Sequence, residues 1–217
     1  TGGSFIADNI GVNTVVGTAG TPAASAAIFT GTFSLASTTG SPITIGTQVS
    51  GNLSNSGLNV GSFAPNTSYL SMTPRATALT AGSAYALSAG DLSINGIAIP
   101  ASIASDDTAS DTTAAGSKKE ASAIAIAAAI NKMTDSTGVR AIANPNIVVG
   151  SGFAATSGNS GTLYINGVSI TIASMTATTK AIDVVSAINQ VSGVTGVLAT
   201  DNGSGITLTA NDGRNIS

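Results

Sequence analysis

Leu92-Ser93-Ile94-Asn95-Gly96-Ile97-Ala98-Ile99 and Leu163-Tyr164-Ile165-Asn166-Gly167-Val168-Ser169-Ile170 are two versions of one octapeptide. In each, apolar residues alternate with small or polar ones around a central Asn-Gly. An Asn-Gly pair between alternating runs favours a two-residue type I′ turn, because both residues tolerate positive φ. The turn sets the register: Ile94 faces Ile97 and Leu92 faces Ile99, while Ile165 faces Val168 and Leu163 faces Ile170, with Tyr164 and Ser169 on the other side. One face of each hairpin is apolar and the other mainly polar, as a sheet over a core requires.

The likeness continues downstream. Ala129-Ile130-Asn131 repeats as Ala187-Ile188-Asn189, and Thr137-Gly138-Val139 as Thr195-Gly196-Val197. The hairpins are offset by 71 residues (92 to 163) and the later matches by 58 (131 to 189), so the first copy holds 13 additional residues, most simply in 106–115. Each copy predicts one helix. In the first, Ser117 with Glu120 fits a capping box, Ala123, Ile126 (or Ala127), Ile130 and Met133 form an apolar stripe, and Gly138 is a stop signal, giving a helix near 118–133. In the second, a helix near 180–190 starts near Thr179, carries Ile182, Val185 and Ile188 on one side, and ends by Gly193. Strands at 197–200 and 206–210 follow, joined by a turn within Asp201-Asn202-Gly203-Ser204-Gly205.

Upstream the signals are strand-like and short. Phe29, Gly31, Phe33 and Leu35 alternate with Thr30, Thr32 and Ser34. Ser41-Pro42 marks a turn before Ile43-Thr44-Ile45, and brief β-like pieces follow at 47–49, 58–60 and 69–72. Residues 1–25 are Gly-, Ala- and Thr-rich with one extended apolar stretch, and 150–161 reads as a Gly- and Ser-rich linker. The expected fold is mainly β with short α-helices (α+β), in two small domains that each hold a hairpin–helix–strand unit. Residues 1–25 and 151–217 are expected to form a discontinuous inner domain and 26–150 an inserted outer one.

The composition removes most chemistry. There is no His and no Cys, so a Ser–His triad, thiol catalysis and an ordinary zinc site are all excluded. No Ser stands three residues before a Lys, which excludes the S-x-x-K dyad. Glu120 is the sole Glu and is better explained as a cap than as a glycosidase carboxylate. The acidic loop with Asp106, Asp107 and Asp111 offers oxygen ligands for calcium but reads as a solvated insertion, and 201–205 reads as a plain turn. No Lys follows the glycines of 150–161, so it is no P-loop. The sequons at Asn52, Asn66, Asn202 and Asn215 read as coincidental spacing. The expectation is no catalytic residue, no cofactor-binding residue and no metal ligand.

Charged residues are only 8%, against about 25% in ordinary soluble domains, so Ser, Thr, Asn and Gly must supply the polarity. A net charge of −3 with scattered cations argues against nucleic acid. The best apolar run, 121–130, is far short of the roughly 20 residues that a membrane helix needs. No signal peptide is visible.

The pattern of I-N-G-x-x-I, a helix ending A-I-N, then T-G-V and a final strand resembles the Ile-Asn repeat of flagellins and hook-associated proteins, over roughly 91–150 and 161–217. The ending Gly205-Ile206-Thr207-Leu208-Thr209-Ala210-Asn211-Asp212-Gly213-Arg214-Asn215-Ile216-Ser217 looks like the segment where flagellin re-enters its C-terminal helices. Thr1-Gly2-Gly3-Ser4-Phe5 looks like the exit from the N-terminal ones. Residues 26–90 match no named motif. The long heptad-like terminal helices of whole flagellins are absent, so the resemblance is to the outer, variable region alone.

The resemblance implies a structural, non-enzymatic, surface-exposed part of an extracellular motility filament, with antigenic and hypervariable character. It implies partners in other flagellin subunits through the missing core helices, and contact with antibodies or a host surface. O-linked glycan on exposed Ser or Thr is the modification it makes plausible, without choosing a residue. The fragment alone is expected to be monomeric, with its two ends side by side and the 106–115 loop far from them. A filament-cap or hook-associated protein, or a secreted adhesin domain, is the alternative reading.

Overall fold

A computed structural model of the chain describes residues 28–64, 70–71, 86–111, 118–153, 160–173, 176 and 178–217. The fold is mainly β with short helices, an α+β arrangement of four small sheets among the described residues. The strands β1 (Phe33–Ser37), β2 (Ile43–Gly46), β3 (Gly61–Phe63), β4 (Leu70–Ser71), β5 (Ser93–Ile94) and β6 (Ile97–Ala98) precede the helices α1 (Ala123–Asn131) and α2 (Thr134–Thr137). Then come β7 (Val139–Ala143), β8 (Asn146–Val149), β9 (Gly161–Ile165), β10 (Val168–Ile172), α3 (Ala181–Asn189), α4 (Ser192–Thr195), β11 (Leu198–Asp201) and β12 (Ile206–Ala210). The expected strand-like pieces at 47–49 and 58–60 are not strands; β3 follows immediately instead, and 69 and 72 lie outside the described residues.

Both Asn-Gly hairpins form in the register that the turn dictates. Ile94 pairs with Ile97, and Ile165 with Val168, Tyr164 with Ser169 and Leu163 with Ile170. All four turn residues have positive φ: Asn95 51°, Gly96 80°, Asn166 49° and Gly167 76°, which is the type I′ signature.

Helix α1 begins later than its capping signal suggests, while α3 begins within two residues of its expected start near Thr179. Ser122 caps α1, its Oγ accepting from the Ala125 amide at 3.0 Å. Glu120 sits before it in a 3-10 turn (Lys119–Ala121), and Ser117 lies outside the described residues. Ser117 is followed by Lys118, Lys119 and Glu120, whereas the Ala-rich run of the helix begins directly after Ser122. In α3 the Asp183 carboxylate accepts from the Lys180 amide at 2.8 Å, closing the first turn. Its buried stripe is Ala181, Val184, Val185 and Ile188, whereas Ile182 is 51% exposed. Positions 181, 184, 185 and 188 follow the i, i+3, i+4, i+7 rule, which 182 breaks when paired with 188.

Among the described residues two large apolar cores result, with Ile28 and Ala121 forming a small third cluster. The first gathers Phe33, Leu35, Ile43, Ile45, Leu92, Ile94, Ile126, Ile130 and Val139. The second gathers Val148, Ile165, Ile170, Val184, Val185, Ile188, Val197, Ile206, Leu208 and Ile216. Among the described residues the chain passes between them near 29–33 and 143–146, which run antiparallel where Phe33 pairs with Ala143 and Asn144 N donates to Thr32 O. Strand β8 pairs with β12, so Val148 joins the second core.

Candidate functional site

In the repeated unit the same polar atoms do the same work twice. Asn131, the last residue of α1, clasps the backbone of Ala141 in β7: its Oδ1 accepts from Ala141 N at 2.8 Å and its Nδ2 donates to Ala141 O at 2.9 Å. Asn189 at the end of α3 does the same to Ala199 in β11, at 2.8 and 3.0 Å. The helix end is thereby locked to the strand that starts after the next turn.

The turn asparagines make the second lock. Asn95 Nδ2 donates to Thr137 O, and Asn166 Nδ2 to Thr195 O, both at 2.8 Å. Thr137 and Thr195 accept in turn from the Val139 and Val197 amides at 3.2 and 3.1 Å. Gly138 and Gly196, with φ of +67° and +70°, close the single-turn helices α2 and α4 in the left-handed conformation that glycine adopts without steric cost. The Ile-Asn pairs, the Asn-Gly pairs and the Thr-Gly-Val tripeptides are therefore one fastening of hairpin, helix and strand. Their repetition was visible in the sequence. The clasping role of Asn131 and Asn189 was not, though both lie ten residues before the strand residue they hold.

The carboxylates serve as structural acceptors. Asp107 is fully buried and accepts from Ala109 N and Ser110 N at 2.9 Å and from Ser110 Oγ at 2.6 Å. Asp106 pairs with Lys132 Nζ at 2.6 Å. Asp201 accepts from Gly203 N, and Asn202 closes its hairpin through the Ser204 and Gly205 amides. Among the described residues no three acidic side chains gather as a metal site. Asp91, buried, accepts from Asn52 N, Asn55 Nδ2 and Ser88 N, each at 2.8 Å. Burial pushes its carboxyl up, but these hydrogen bonds outweigh it and hold the group below the ordinary value. Asp212 is also held low: burial opposes ionisation, and the Arg214 guanidinium more than offsets it.

A neck of asparagines joins the two cores. Asn146 Nδ2 donates to Phe29 O at 2.6 Å and Arg214 O at 3.0 Å. Asn144 accepts from Ser34 Oγ and donates to Thr32 Oγ1. Phe29 and Ile216 exchange both backbone hydrogen bonds, at 2.8 and 3.0 Å, so the chain at 28–29 runs beside its last residues. Residues 1–27 lie outside the described ones. The acidic loop is not remote from this neck. Ser110 Oγ accepts from Asn215 N at 2.9 Å, and Asn215 Nδ2 donates to Lys118 O at 3.2 Å. The expectation of a far-lying 106–115 loop is thus corrected for 106–111. The Asp107 turn buries Ser110 and aims its hydroxyl at the outgoing chain.

Residues 162–212 match the family model of the flagellin hook IN motif. The match runs from the hairpin through both helices and the final strand pair, and it bears out the resemblance there to the flagellin outer variable region. No curated protein and no solved structure matches the chain.

Proposed function

We propose that this chain is a structural, surface-exposed variable region of a flagellar filament subunit. The observation that carries the reading is the coincidence of the motif match with one whole hairpin–helix–strand unit. The first unit reproduces that geometry atom for atom at its Asn clasps. The pairing of Phe29 with Ile216 supports the reading further, since an insertion into a filament subunit needs its incoming and outgoing strands side by side. The division into an inner domain containing 151–217 and an inserted outer domain goes with it, with β8 assigned to the inner domain because it pairs with β12.

On this reading the chain is extracellular, its partners are other flagellin subunits reached through helices outside this region, and it has no catalytic role, cofactor or metal. Its antigenic surface and any O-linked sugar lie on the Ser- and Thr-rich exterior. Antibodies raised against the 217-residue chain should label intact filaments of the producing cell along their length. Label confined to the filament tip or the hook junction would replace this reading with a cap or hook-associated protein. Label on the cell body alone would favour a secreted adhesin.

A further inference from the structure

The two units are related by more than their shared order of hairpin and helix. In the second, β12 follows β11 and pairs with it, placing Leu208 opposite Ala199. In the first, the strand beside β7 is β1, which comes before the hairpin in sequence and places Leu35 opposite Ala141. Ala141 and Ala199 are the two clasped residues, so β1 and β12 hold one position in the unit, reached from opposite ends of the sequence.

The correspondence runs on at a constant offset of 173. Gly40 and Gly213 both turn with positive φ, 74° and 80°. Ile43 and Ile216 are both buried, at 4% and 3% exposure. Thr44 and Ser217 meet the two turn asparagines in the same way. Thr44 N donates to Asn95 Oδ1 and Asn95 N to Thr44 O, at 2.7 and 2.8 Å. Ser217 N donates to Asn166 Oδ1 and Asn166 N to Ser217 O, at 2.9 and 2.8 Å.

In the first unit the chain then continues along the hairpin: Ile45 pairs with Ile94 and Gly46 with Ser93, so β2 covers the β5 edge. In the second, among the described residues, β9 pairs only with β10. The side chains record the difference. Leu92 is fully buried, while its counterpart Leu163 is only half-buried.

We infer that the β9 edge is a docking site for one further antiparallel strand, supplied by polypeptide continuing directly from Ser217. The residue after Ser217 lies opposite Ile165 with its side chain in the second core, as Ile45 lies opposite Ile94. The next lies opposite Tyr164, as Gly46 lies opposite Ser93. Since Asn166 N already points to Ser217, alternation along the strand turns the Tyr164 and Thr162 amides toward the same edge. The first position therefore takes a β-branched apolar residue, and proline is excluded from the second, where the ladder needs an N–H.

The test extends the full chain past Ser217 by Ile-Gly-Thr, the sequence of 45–47, with an Ile-Pro-Thr extension as the control. Amide hydrogen exchange is read residue by residue. The Tyr164 amide donates to the carbonyl of the second added residue and should slow by about fivefold or more with Ile-Gly-Thr. It should slow by clearly less with Ile-Pro-Thr, which keeps that carbonyl but loses the return N–H to Tyr164 O and so weakens docking of the strand. Equal rates in all three proteins would overturn the inference. So would a Tyr164 amide already protected in the 217-residue chain, whether independently of concentration (another segment holds the edge) or only at high concentration (a second copy does).

Discussion

At the scale of single residues the fold depends on side-chain amides. Each terminal helix asparagine satisfies one backbone N–H and one C=O on a strand that is otherwise hydrogen-bonded on its other edge. Replacing Asn189 with Ala leaves the Ala199 N–H and C=O without these partners. Such a loss costs about 2 kcal/mol, between the net value of a hydrogen bond and the penalty of stranding a buried polar group. Asn131→Ala should behave alike in the first unit, and denaturant unfolding of both variants measures it. Asp91 gives a pH-dependent counterpart. Its folded pKa lies below the ordinary 3.8, so its stabilising effect is present above that value and is lost as the pH falls through the folded one. Stability measured from pH 6 downward should drop below about pH 3.8 in the parent. Asp91→Asn should be less stable at neutral pH and should flatten that acid limb. An unchanged limb would mean that Asp91 does not couple to folding.

At the scale of elements, burial decides which apolar residues matter, and the periodicity is legible only in part. Ile130 on α1 is fully buried, so Ile130→Ala should cost about 3 kcal/mol, the usual range for emptying an aliphatic core site. Ile182 on α3 is 51% exposed, so Ile182→Ala should change stability by no more than about 0.5 kcal/mol. Equal effects in thermal unfolding would contradict the packing of α3. The hairpins could be read from the sequence because a two-residue Asn-Gly loop admits one register. The start of α1 could not, because Ser117 with Glu120 matches the capping-box spacing, whereas burial of Ala123, Ala125 and Ala127 against the sheet makes Ser122 the cap.

At the scale of the whole molecule, the neck decides whether the two cores unfold together. Asn146 is buried and bridges the incoming chain at Phe29 and the outgoing chain at Arg214. Asn146→Ala should therefore loosen the coupling, so that a single calorimetric transition in the parent splits into two. A uniform downward shift of one transition would show that the cores are fused more broadly than at the neck. In solution the chain should be a monomer of 20.8 kDa by light scattering. Filaments or a concentration-independent dimer would show that a strand edge drives self-assembly without the helices that the proposed function assigns to that task.

The sequence by itself determined the repeated hairpins, their register and the α+β class, because these follow from φ tolerance at Asn-Gly and from alternation between neighbours. It also determined that His and Cys chemistry is absent. What only the tertiary structure decided are the relations between distant residues. The Asn189 clasp on Ala199, the seat of β8 beside β12, the brace from Ser110 to Asn215 and the match of β1 to β12 join positions whose separation carries no local signal. The physical reason is that backbone groups left open at a helix end or a sheet edge must be satisfied. Which side chain or strand reaches them is settled by where the two cores bring the chain together.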